Sequence, residues 1–201
     1  MAINHEIIKN IIGEFYTGEL TAEEYCDLFF DAETKVYSVR WAEKDYHSLR
    51  HFITNMGDGS PTLTVTGGTA QTPDDFFHEL SAYYRYKGAP RKIEFINDHE
   101  LGHRLAHAYE NPTMEYPVAV VYGDTIRFKP DTVKLVTLSY LAWPQETIYS
   151  VDYTTGIPVF NEALSSTVKW DIPEVVTIIS IILQSLNIQV TQTEIQNKIQ
   201  Q

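Results

Sequence analysis

Three histidines recur every four residues, His99, His103 and His107, and Glu100 follows the first of them. Residues four apart share one face of a helix. His99 and His103 on such a face could hold a metal ion, and Glu100 between them could take a proton from a water bound to that metal. This is the formal His-Glu-x-x-His arrangement of a zinc hydrolase. Its neighbours argue against that chemistry. Asp98 reads as a helix cap, which puts His99 in the first turn, where a ligand's rotamer is poorly held. Arg104 brings a cation next to the proposed metal, and Ala106 and Tyr109 stand where the extended three-histidine pattern needs Gly and His. Past Pro112 the chain reads as strands, so no second helix brings a further acid, and Glu110 is too near along the same helix to serve. The favoured reading is a solvated face with Glu100, Arg104 and Glu110 among its charges. Incidental metal binding by a His99/His103/His107 ladder and zinc-dependent hydrolysis remain as alternatives.

Other chemistry is sparse. Cys26 is the sole cysteine, so no internal disulfide forms; it lies in a helical pattern beside Leu28 and Phe29 and reads as a buried, inert thiol. Gly67-Gly68 lacks the Lys-Ser/Thr of a phosphate loop and reads as a turn, and no Gly-x-Ser-x-Gly elbow exists. Asp74-Asp75 reads as a helix start after Pro73 rather than an acid/base pair. The sequence assigns no catalytic residue, no metal site and no cofactor.

The elements that would position these residues are legible from periodicity and caps. The class is α+β: N-terminal and C-terminal helices packed beside a mostly antiparallel β-sheet, in one domain over 1–201. Helices are expected over His5–Tyr16, capped by Asn4, and from the Thr21-Ala22-Glu23-Glu24 capping box to about Tyr46, with a third piece over 47–55. A loop follows over residues 56–61. The β-rich middle, 61–165, holds strands near 63–66, 82–86, 92–96, 118–122, 125–128, 133–142, 148–153 and 157–160. A short helix over 76–80 and a longer one over 98–109 interrupt it. Gly123-Asp124 and Thr155-Gly156 mark hairpin turns. The C-terminal helices fall in 171–201. Asp171 and Glu174 form an Asp-x-x-Glu box with Pro173 in the first turn, and Asn187 ends the main helix.

Composition limits the function. Apolar residues make up 43% and charged residues 21%, as in a chain that folds. The 27 acids against 15 bases leave a net charge of −12, which repels a phosphate backbone and excludes sequence-specific nucleic-acid binding as the expected role. No apolar run approaches the length of a membrane span, and charges within the first ten residues argue against a signal peptide. The many aromatics, Tyr 13, Phe 9 and Trp 3, favour protein–protein contact, because such rings bury large areas at low entropic cost.

Three blocks carry a family resemblance. One is Gly18-Glu19-Leu20-Thr21-Ala22-Glu23-Glu24-Tyr25 with Ala32 and Val36-Tyr37. The second is Arg104-Leu105, Asn111-Pro112-Thr113 and Tyr116-Pro117. The third joins Lys129–Leu135, Leu138-Ser139-Tyr140-Leu141-Ala142-Trp143-Pro144 and Ser166-Thr167-Val168-Lys169-Trp170-Asp171-Ile172-Pro173-Glu174. Together they resemble a family of virion proteins of crAss-like bacteriophages that stack as rings below the portal; the likeness touches roughly three-quarters of the chain. A family helix that often ends in Leu-Gly ends here in Leu186-Asn187. The resemblance implies a non-enzymatic structural subunit of the head-to-tail connector or tail barrel, assembled in the host bacterial cytoplasm as a ring of twelve copies. Its partners would be its own copies, the portal and neighbouring tail or connector proteins. Genomic DNA would pass through the channel without being read. A binding module with no virion role is the third alternative.

Overall fold

Asn4 starts the first helix, α1 (His5–Phe15), by accepting the Ile7 N–H on its side chain at 3.0 Å. Ile8, Ile11 and Ile12, at helical spacing, go into the core. This computed structural model describes residues 3–54, 61–154 and 158–200. The capping box at Thr21 and Glu24 forms as expected and opens α2 (Ala22–Ala42), which buries Tyr25, Phe29, Ala32, Val36 and Tyr37. That helix stops short of Tyr46 because Lys44 turns into the left-handed region at φ 57 and donates to the Trp41 carbonyl. The third helix expected over 47–55 is reduced to turns and a 3-10 turn over Arg50–Phe52; residue 55 and the loop expected to follow it lie outside the described residues, apart from Pro61.

Residues Phe52–Trp143 form one compact unit. Its elements are β1 (Thr62–Thr64), β2 (Thr69–Gln71), β3 (Phe76–Tyr86), β4 (Ala89–Phe95), α3 (Asp98–Ala106), β5 (Val118–Tyr122), β6 (Thr125–Lys129) and β7 (Leu135–Ala142). The seven strands make one sheet in the order β1-β7-β3-β4-β5-β6-β2. Among the described residues only the β4–β5 pair is parallel, and α3 is its crossover. β1 and β2 stand at opposite ends of that order yet follow each other in the chain. Thr66 and Thr69 exchange backbone hydrogen bonds of 2.9 and 3.1 Å across Gly67-Gly68, so the sheet curls into a nearly closed barrel. Ala82, Ile93, Ala119, Ile126, Phe128, Val136 and Leu138 belong to its core.

The short helix expected over 76–80 is not there. β3 runs unbroken from Phe76 and pairs with β7 from Phe76↔Ala142 onward, with two register shifts. Pairing with a distant strand overrides the local helix signal of Asp74-Asp75, and β3, at 11 residues, exceeds β7, at 8, as the longest strand.

Met1–His51 and Pro144–Gln201 form the other compact unit. Residues 144–165, grouped by sequence with the β-rich middle, belong to this helical unit. They carry β8 (Val151–Asp152) paired with β9 (Val159–Phe160); of the turn expected between them, residues 155–157 lie outside the described residues. α4 (Ile172–Ser185) buries Val175, Val176, Ile178, Ile179, Ile182 and Leu183. The Asp171/Glu174 box does not form. Asp171 makes no side-chain cap bond and pairs instead with Arg50 at 2.5 Å, while Glu174 turns inward, accepts from Ser48 Oγ at 2.8 Å and lies 3.5 Å from Arg40. Asn187, at φ 61, closes the helix: its N–H reaches the Gln184 carbonyl, and that of Ile188 reaches Leu183. α5 (Gln192–Ile199) follows on a Thr191/Glu194 capping box, and a Lys198–Glu14 ion pair ties it to α1.

Candidate functional site

Helix α3 carries the histidine motif, and its cap is Asn97, not Asp98. The Asn97 side chain accepts the Glu100 N–H at 2.8 Å, so Asp98 is the first helical residue and His99 the second. One side chain of α3, Leu101, is buried; it packs with Val118 and Val120 of β5. This single anchor leaves His99 and His103 on the exposed side. The helix ends at Ala106 rather than near 109, and His107 is its C-cap with extended backbone. The ladder expected over His99, His103 and His107 is therefore broken at its last rung, although the rings of His103 and His107 still meet at 4.4 Å between centroids.

Arg104 organises the charges here. Its guanidinium takes both oxygens of Glu94 on β4, at 2.7 and 3.0 Å, and reaches Glu100 at 2.6 Å. The pairing holds the Glu94 carboxyl below its ordinary range and raises Arg104 above its own. Glu100, the base of the hydrolase alternative, is held by this cation instead of facing a water between two histidines. His103 Nδ1 lies 3.3 Å from Glu110. Glu100, His103, Arg104, Tyr109, Glu110 and Tyr116 border an open cleft of about 460 Å³; His99 is not on its wall. Among the described residues, no three His, Cys, Asp or Glu side chains are placed to hold one metal ion. The arrangement braces α3 against β4.

The other sequence candidates resolve as structural. Cys26, expected to be buried, is only half-buried at the edge of the α2 core face, and that burial raises its thiol above the usual range. Asp75 accepts the Tyr140 hydroxyl at 2.6 Å. Gly67 and Gly68 both adopt positive φ, 59 and 80, as a tight hairpin turn requires.

Sequence reasoning missed two buried titratable groups of the helical unit. His5 is 1% exposed; its Nδ1 meets the Tyr25 hydroxyl at 2.9 Å and its Nε2 the Ser166 hydroxyl at 3.1 Å, and burial lowers its pKa to about 4. Glu33 accepts the Trp170 indole N–H at 2.8 Å, and burial raises it to about 7. The signal for Glu33 was available: it sits on the α2 face of Phe29, Val36 and Tyr37.

Large apolar side chains also stay in solvent in groups. Tyr109 and Tyr116, fully and 78% exposed, flank the α3 cleft. Ile148, Tyr153, Val159 and Leu164 are exposed on and beside the β8–β9 ribbon. Among the described residues no helix is long and apolar enough to cross a membrane. No protein-family profile matches this chain, and no curated protein matches it.

Proposed function

We propose that this chain is a structural subunit of a ring in the head-to-tail connector or tail barrel of a crAss-like bacteriophage. The observation that carries the reading is the grouping of exposed large apolar residues on both compact units: Tyr109 and Tyr116 beside α3, and Ile148, Tyr153, Val159 and Leu164 at β8–β9. Lone exposed apolar residues are ordinary, but grouped ones mark interaction surfaces. A subunit of a closed ring needs two different faces, because each copy touches its neighbours through unlike surfaces. The three sequence blocks that resemble the ring family support the same reading. In this role the chain does no chemistry; copies around the portal axis extend a channel, and the layers above and below bind the remaining surface. The net charge of −12 suits a channel past which DNA slides without sticking.

Mass spectrometry of purified virions tests this directly. The chain is expected in the particle at a constant ratio to the portal protein, and native mass spectrometry of the portal assembly should show it as a closed oligomer. A virion that lacks the chain overturns the reading.

A further inference from the structure

The barrel wall opens between β3 and β7. Their ladder runs from Phe76↔Ala142 to Tyr83↔Thr137 and stops there, although β3 continues to Tyr86 against β4 and β7 begins at Leu135 against β1. Continued register would place Arg85 opposite Leu135. Across β4, Arg85 faces Pro90, which has no N–H; this is a non-hydrogen-bonded pair, so Arg85 turns its backbone N–H and C=O toward the opening. On the other wall the Lys134 carbonyl accepts the Val65 N–H at 2.7 Å and the Leu138 N–H donates to Pro61 at 3.2 Å. Residues 134, 136 and 138 therefore face β1, and Leu135 aims its backbone groups at the gap. Two strand edges thus confront each other across a groove of about 810 Å³, lined by Tyr83, Pro90, Met114, Val133 and Leu135 among others. Such edges accept an added strand by main-chain hydrogen bonding.

Charge narrows the occupant. Among the described residues, the charged side chains lining the groove are Arg85 and Lys134, both cations, in a chain of net charge −12. The fitting partner is an extended apolar segment that carries acids and no bases. This chain has one. From Gln145 to Val168 there is no Lys or Arg, while Glu146, Asp152 and Glu162 supply negative charge. The described part of that segment exposes Ile148, Tyr153, Val159 and Leu164 around the two-stranded β8–β9 ribbon. Tyr149 packs on Tyr25 and Phe160, and Ser165 and Ser166 bond the backbone of Ser150 and Ile148, so the ribbon is held at its base while those four side chains stay in solvent.

We propose that the β8–β9 arm of one copy adds to the β3–β7 opening of a second copy. The contact is heterologous, since arm and opening are different surfaces, and repetition of it generates a ring. It rests on the ring reading above and names the interface.

Cross-linking tests it. Two full-length variants, both with Cys26→Ser, carry Leu135→Cys and Val159→Cys respectively, and are mixed under mild oxidation. A disulfide-linked species of twice the chain mass is expected from the mixture, well above that from either variant alone. Adding Arg85→Glu and Lys134→Glu to the first variant should abolish it, and adding Asp152→Lys and Glu162→Lys to the second should then restore it. No excess over the single variants while wild type forms an oligomer in native mass spectrometry overturns the arm-in-opening contact and leaves the ring reading standing. A single chain with both cysteines that closes its disulfide internally overturns it too. Absence of the chain from virions defeats the ring reading independently of either result.

Discussion

Glu33 and His5 are both buried, yet pH should act on them in opposite senses. Glu33 keeps its proton to about 7 in the folded chain, against 4.5 when unfolded. As pH rises through that window the unfolded chain releases a proton that the folded chain retains, so stability falls. Glu33→Gln can still accept from Trp170 and has nothing to titrate. Relative to wild type it should gain up to about 3 kcal/mol between pH 4.5 and pH 8, read from urea unfolding. An equal difference at both pH values would show that Glu33 ionises freely. His5 has its folded pKa lowered from 6.5 to about 4, so it contributes stability present above 6.5 and lost as pH falls toward 4. His5→Gln should flatten that acid-side loss in the same titration. At the α3 motif, the Arg104 clamp on Glu100 leads to a different expectation. Zinc should leave the melting temperature unchanged, and His103→Ala should melt with wild type. A zinc-dependent rise that His103→Ala removes would revive the hydrolase alternative.

Closure of the barrel depends on a turn of two adjacent glycines that differ in what surrounds them. At Gly67, φ 59, an added Cβ would meet nothing within 4 Å; at Gly68, φ 80, it would run into the Asp131 carboxylate. Gly67→Ala therefore carries only the left-handed backbone cost, about 1–2 kcal/mol. Gly68→Ala adds a clash at the residue whose carbonyl accepts the Phe128 N–H at 2.7 Å. Thermal melts should order wild type above Gly67→Ala above Gly68→Ala, and equal losses for the two would mean that Asp131 moves aside freely. The opposite case is α4, where a helix end was readable without its surroundings: Leu186-Asn187 promises a left-handed cap, and Asn187 provides it. Its start was not readable. Asp171 and Glu174 have the spacing of a box, but Arg50, Ser48 and Arg40 take those carboxylates for contacts distant in sequence.

The chain passes from one compact unit to the other at 51/52 and 143/144, and each unit has its own core. Two cores need not melt together. Trp41 and Trp170 lie in the helical unit and Trp143 in the barrel unit, so the tryptophans divide as reporters. Variants that keep only Trp143, or only Trp41 and Trp170, should give separate fluorescence midpoints in urea. Coincident midpoints would mean that the units unfold as one.

What the sequence settled by itself is what short-range physics decides. The Asn4 and Thr21 caps, the apolar faces of α1 and α4, the β5–β6 hairpin at Gly123-Asp124 and the α+β class all rest on contacts within a few residues. The tertiary structure decided the rest. It made Phe76–Leu80 a strand because β7 lies alongside, and it drew Glu174 inward to Ser48. It also brought β1 beside β7 and β2 beside β6, so that the local Gly67-Gly68 turn closes the sheet, while parting β3 from β7 beyond Tyr83. Local periodicity records which face of an element is apolar but not which distant strand or side chain will meet it. The barrel's closure and its opening are therefore properties of the folded chain alone.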